Sequence, residues 1–201
     1  MTTIVVPFRG VGAKLRLSPL TIDAREELAR AMLGDVIAAC VTVGETAVVT
    51  DDVRAARLAV ELGARPVEDP GGGQGAAVAA ALEGVERWPA LVVNADVPCA
   101  APHDLRALLR AAPPGGLAYV QAADGTTNAL ALGGPGLFAP LYGPGSAERF
   151  RKRGTELGVD AVAAVIPNLA GDVDTVVDLR RLSLRAGPRT QAAIATLGIA
   201  A

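Results

Sequence analysis

Short apolar runs alternate along this chain with longer segments of helical periodicity, and that alternation restricts the architecture more than any other feature. TIVVPF, TAVVT, ARPVE, PALVVNADVP, LAYVQA and NALAL read as strands, while VDAVAAVIP is given no strand and DVDTVVDLRRLSLRAGPRTQAAIATL reads as mostly helical. Between the first two, residues from about Ile22 to about Val43 place Leu28, Met32, Val36 and Ala39 at helical spacing. VRAARLAVEL follows the acidic pair Asp51 and Asp52, either of which suits an N-cap, and Gly63 ends that helix. Strands that are apolar on both faces and separated by helices predict an α/β fold, a mainly parallel sheet covered on both sides. No internal repeat or linker interrupts residues 1–201, which suits one domain with a sizeable core.

Composition excludes several classes. A chain that is 51% hydrophobic and 20% charged folds, and a formal net charge of −2 argues against a nucleic-acid or membrane-surface binder. Only Lys14 and Lys152 are lysines, a bias that fits a GC-rich genome and lowers the weight of any single arginine. Cys40 and Cys99 lack metal-ligand spacing and suit a reducing compartment. Arg9 and Lys14 interrupt the first apolar stretch, and no leader or spanning segment is read, so a cytoplasmic protein is expected.

In a parallel sheet, ligands gather beyond the carboxyl ends of the strands. Five groups of unusual residues fall there. After the first strand come Arg9, Gly10, Gly12, Lys14 and Arg16, enough to cradle and neutralise a polyphosphate, although neither GxxxxGK[ST] nor GxGxxG is present. Asp69-Pro70-Gly71-Gly72-Gly73-Gln74-Gly75 offers a glycine floor for a flat base, with Gln74 able to bond its edge; the alternative is a surface loop. Asp96 closes a buried strand, where a carboxylate suits Mg²⁺ or a turn before Pro98, and Asp172 and Asp174 of DVDT offer further ligands. Capping by Asp174 or Thr175 is the competing reading of DVDT. Thr126, Thr127 and Asn128 come next. Finally, in YGPGSAERFRKRG, Gly143 and Gly145 admit close backbone approach and Ser146 stands where an N-cap hydroxyl belongs. That helix mouth would hold an anion, or would simply be a capped surface helix.

In this order VVPFRGVGAKLRL, DPGGGQGAAVAAAL, NADVPCAAPHDL, DGTTNALAL, YGPGSAERFRKRG and DVDTVVDL resemble the 2-phospho-L-lactate / phosphoenolpyruvate guanylyltransferase family of coenzyme F-420 biosynthesis, over nearly the whole chain. The resemblance implies a single-domain, Rossmann-like fold of glycosyltransferase-A type. It implies Mg²⁺-dependent transfer of GMP from GTP to a phosphorylated three-carbon acid, with release of pyrophosphate. Lys14 and Asp96 would be catalytic. Arg9, Gly12, Lys14, Arg16, Gly72, Gly73 and Gln74 would bind the nucleotide. Thr127, Asn128, Gly143, Gly145 and Ser146 would bind the acceptor, and Asp96 with Asp172 or Asp174 would hold the metal. The chain departs from the family pattern at Leu15, at Arg9 and at Gln74-Gly75. A phosphate acceptor is already an anion near neutral pH, its second pKa lying near ~6, so no general base is required. Two alternatives stand beside this reading: a nucleotidyltransferase for a molybdopterin or sugar phosphate, and a non-catalytic nucleotide-binding module. GTP and the acid are the expected partners, without nucleic acid or membrane, and a homo-oligomer is compatible with the sequence.

Overall fold

A computed structural model of the chain describes residues 2–10, 17 and 20–199. Among these, β1 (Thr2–Pro7), β2 (Gly44–Thr50), β3 (Arg65–Glu68), β4 (Ala90–Val93), β5 (Leu117–Gln121), β6 (Thr127–Leu132) and β7 (Ala161–Ala163) form one sheet in the order β3-β2-β1-β4-β6-β5-β7. All pairings are parallel except those of β6, which runs antiparallel to both β4 and β5. The sheet is therefore mixed, with a single reversed strand. That reversal has a direct effect on the site: the start of β6, Thr127-Asn128, lies at the same sheet edge as the carboxyl ends of the other strands.

The helices are α1 (Ile22–Val41), α2 (Val53–Glu61), α3 (Gln74–Leu82), α4 (Pro102–Ala111), α5 (Ser146–Leu157), α6 (Pro167–Ala170), α7 (Val176–Leu182) and α8 (Pro188–Thr196). Strand alternation divides the core between the two sheet faces. Ile4, Val6, Leu91 and Val93 pack with Leu28, Met32, Leu33 and Ile37 of α1 and with Leu105, Leu179 and Ile194 of α4, α7 and α8. Val5, Val92, Tyr119 and Leu130 pack on the other face with Val78 of α3 and Phe150 of α5. Side chains as thoroughly buried as Phe150 each stabilise the fold by roughly 1.5–3 kcal/mol.

Local signals mostly decide where elements begin. Thr21 caps α1 by accepting from Ala24 N, and Asp52 caps α2 by accepting from Arg54 N and Ala55 N. Thr175, not Asp174, caps α7, and its amide bonds back to Asp178 in a capping box. One strand reading shortens, since PALVVNADVP pairs only over Ala90–Val93, and one strand goes unread in the sequence, the three-residue β7 at Ala161–Ala163 within VDAVAAVIP. The helix mouth differs too. Gly145, in the left-handed region at φ 71°, takes the N-cap place of α5, and Ser146 is its first helical residue.

One long-range contact has no local signal. Asp35, buried in the middle of α1, accepts from Arg189 N at 3.1 Å and Thr190 N at 2.8 Å, the first turn of α8. It caps a helix more than 150 residues away. Gly187 is required there, because a Cβ would lie 2.3 Å from Asp35 Cγ.

Candidate active site

The chain leaves β1 toward β2 on one side and leaves β4 toward β5 on the other, so a crevice opens beyond the carboxyl ends of β1 and β4. It is lined by Phe8, Arg9 and Gly10 after β1, Asn94 and Asp96 after β4, and Gln74 at the start of α3, over a volume of about 200 Å³. Met32 and Ala29 of α1 close its apolar side.

Three carboxylates meet at one end. Asp96, Asp172 and Asp174 bring oxygen atoms within 4.8 Å of one another, each group half-buried. The backbone brings the two segments together, since Val173 N donates to Asp96 O at 3.0 Å. Asn128 Nδ2 donates to Asp172 Oδ1 at 3.3 Å, tying the reversed strand to the cluster. Burial, followed by the neighbouring Asp96 charge, raises the Asp172 carboxyl above the ordinary range, with the Asn128 bond opposing. Hard oxygen donors crowded at this spacing suit a divalent cation, which would remove the mutual repulsion. The chemistry of the donor set therefore fits such an ion.

At the other end lies the glycine loop. Gly71, Gly72 and Gly73 all have positive φ (78°, 81° and 98°), a backbone conformation that any side chain there would strain. Asp69 is nearly buried and holds the loop: one oxygen accepts from Gly71 N at 2.9 Å and the other lies 3.9 Å from Arg9 Nε. Gly75 packs so closely on Pro140 that a Cβ would fall 2.5 Å from the Pro140 Cβ. Gln74 Nε2 donates to Asn94 Oδ1 at 2.7 Å, and Asn94 Nδ2 donates to Thr127 O at 3.2 Å.

The GPGS mouth is built differently from a simple capped anion nest. Ser146 Oγ and Thr127 Oγ1, both buried, lie 3.1 Å apart and hydrogen-bond to each other, so Ser146 joins α5 to β6 instead of capping. Ser146 N and Ala147 N donate to the carbonyls of Gly143 and Gly125. Arg149 donates to the carbonyls of Leu141, Tyr142 and Pro144, which pins the turn holding Gly143. Arg151 and Lys152 pair with Glu148, so the basic cluster of this helix is engaged locally.

The residues expected from sequence thus divide into three sets. Asp96, Asp172, Asp174 and Asn128 converge. Arg9, Gly72, Gly73 and Gln74 border the crevice or its loop, and Thr127, Ser146, Gly143 and Gly145 form the α5–β6 corner. Gly12, Lys14 and Arg16 lie outside the described residues. Asn94 was missed by sequence reasoning. It lies in the NADVP segment, two residues before Asp96, and its polarity at the end of a four-residue apolar strand was the available signal. His103 sits exposed beside Asp104 on α4 and takes no part.

The family described as "Guanylyl transferase CofC like" matches residues 2–192. A phosphoenolpyruvate guanylyltransferase of Streptomyces coelicolor is 43% identical, with 98% of each chain covered. One of Streptomyces scabiei is 42% identical, covering 97% of this chain and 96% of that one. A nucleotidyl transferase structure from Methanothermobacter superposes with a TM-score of 0.64 at 19% identity, over 98% of this chain and 99% of the other, a likeness of fold alone.

Proposed function

The chain belongs to the CofC-like guanylyl transferase family, and from that premise we propose that it transfers GMP from GTP to the phosphate of phosphoenolpyruvate, releasing pyrophosphate, in coenzyme F-420 biosynthesis. The choice of phosphoenolpyruvate over 2-phospho-L-lactate rests on relatives of that activity at 35–43% identity. The carrying observation is the convergence of Asp96, Asp172 and Asp174 beside the crevice between β1 and β4.

These three carboxylates would hold Mg²⁺, which when bound neutralises phosphate charge and orients the triphosphate. Arg9 and the loop of Gly72 and Gly73 border the nucleotide, and Gln74 faces its base. Lys14, Arg16 and Gly12 are assigned to the triphosphate from the family pattern. Thr127, Gly143, Gly145 and Ser146 shape the acceptor end, where the buried Ser146–Thr127 bond fixes the corner. Asn128 acts through Asp172, which it orients. An acceptor phosphate oxygen attacks the α-phosphorus; the new O–P bond forms as the bond to the β-phosphate oxygen breaks, and pyrophosphate leaves with that electron pair. No side chain need remove a proton from the nucleophile, since it is already anionic. Catalysis then consists of alignment and charge stabilisation.

No helix among the described residues is long and apolar enough to cross a membrane, and a net charge of −2 disfavours general attraction to nucleic acid. A cytoplasmic enzyme acting on small anions fits both. The test is incubation with α-labelled GTP, Mg²⁺ and each of phosphoenolpyruvate, 2-phospho-L-lactate and 3-phosphoglycerate in turn, with products resolved by mass. A guanylylated phosphoenolpyruvate with one pyrophosphate released is expected. Nucleotide binding without product from any acid would overturn the reading in favour of a non-catalytic module.

A further inference from the structure

Asn94 touches both halves of the site, and its side-chain amide has only one workable orientation. Its Nδ2 lies 3.2 Å from the carbonyl oxygen of Thr127, a group that can only accept. Its backbone is held as well, Asn94 N donating to Asn128 O at 2.9 Å. The Oδ1 end must therefore face α3, where it accepts from Gln74 Nε2 at 2.7 Å. That second bond orients Gln74 in turn: its donor end is engaged, and its Oε1 accepts no hydrogen bond among the described residues. Both residues line the crevice between β1 and β4.

We propose that Gln74 Oε1 reads the donor edge of guanine and that Asn94 is the positioning residue that makes Gln74 an acceptor. This rests on the GTP reading above. Guanine presents N1–H and an exocyclic amino group along one edge, both donors. Adenine places an unprotonated N1 at the same point, lone pair against lone pair with Oε1. Gln74 cannot resolve that conflict by turning over, because turning breaks its bond to Asn94. Asn94 cannot follow, because its own turn would set Oδ1 against the Thr127 carbonyl. Base choice is thus set by a backbone carbonyl of β6 through two side-chain amides.

The experiment measures kcat/KM for GTP and for ATP with the full chain and saturating acceptor. Asn94→Leu frees the Gln74 amide to present either end, so the GTP-to-ATP ratio should fall about tenfold, the worth of one hydrogen bond, mainly through KM for GTP. Asn94→Asp sets an oxygen against the Thr127 carbonyl, so kcat/KM should fall with both nucleotides, but its oxygens offer Gln74 Nε2 only acceptors and the ratio should stay within about threefold. Gln74→Leu, at a half-exposed helix start, should reach the same low ratio as Asn94→Leu and serves if the latter folds poorly. A merely structural Asn94 would lower both nucleotides together in Asn94→Leu, and that result would overturn the proposal. So would an unchanged ratio in either leucine variant. A wild-type protein with no preference for GTP would defeat the guanylyl reading itself along with this one, whereas a preference that survives Asn94→Leu defeats only the role of Asn94.

Discussion

Replacing Asp172 by Asn should move stability and activity in opposite directions. The substitution keeps the shape and the oxygen that accepts from Asn128 Nδ2, but removes a charge held within 4.8 Å of the Asp96 and Asp174 oxygens. At that spacing the pairwise repulsion is about 0.9 kcal/mol in water and about 3.5 kcal/mol at an effective dielectric of 20. A half-exposed carboxylate belongs toward the lower figure, so about 1 kcal/mol of relief is expected without the ion. For a chain of this size that is a rise of about 2–4 °C in Tm in the presence of chelator. The sign of the pH response agrees. The folded protein binds the Asp172 proton more tightly than the unfolded chain, because burial and Asp96 raise that carboxyl. Its contribution to stability is present at low pH and is lost as pH rises through the raised folded value. The variant should lack this loss, so its Tm advantage should grow between strongly acidic and neutral pH. Added Mg²⁺ should reverse the order. At tenfold over its Kd the ion adds about 1.4 kcal/mol to a competent site, and the variant should gain far less. Turnover should fall by ~10²-fold or more, about 2.7 kcal/mol. Thermal melts with EDTA and with Mg²⁺, read beside pyrophosphate release, test all of this. A variant less stable than wild type in EDTA, or one that keeps the full Mg²⁺ shift, would refute the reasoning.

Ser146→Ala removes one side of the buried bond to Thr127 Oγ1 at the corner proposed for the acceptor, so the KM for the acid should rise roughly tenfold while that for GTP stays nearly constant. Steady-state kinetics with each substrate varied would show it, and the reverse pattern would mean that the corner serves the nucleotide. Asp35→Ala leaves the Arg189 and Thr190 amides without their acceptor, and a loss of about 3 kcal/mol is expected by urea denaturation.

The alternation of apolar strands and periodic helices was sufficient to place nearly every element, because parallel strands buried on both faces leave a strong pattern in residues such as Ile4, Val5 and Val6. Strand direction leaves no such mark. The apolar run NALAL reads the same whether β6 is parallel or reversed, and its antiparallel pairing with β4 becomes visible only in the register Ala90↔Leu132. The acidic cluster was legible because a carboxylate ending a buried strand is costly without a partner. Asn94 was not, since a neutral amide draws meaning only from what it touches, here Gln74 and Thr127. Ser146 was legible as important but not in its role, because a serine beside a glycine turn is equally suited to capping and to pairing across to a strand.

The bond from Asp35 to α8 bears on how the protein is made. Asp35 is synthesised more than 150 residues before its partners, the amides of Arg189 and Thr190. Until these are made, the helix that covers the apolar face of α1 is missing and a carboxylate inside that face has no backbone donors. The α1 face is thus left incomplete until α8 is made, and Asp172 and Asp174 of the acidic cluster arrive only shortly before it. A chain interrupted before α8 would hold every described strand of the sheet yet leave the α1 face open, a natural target for chaperones.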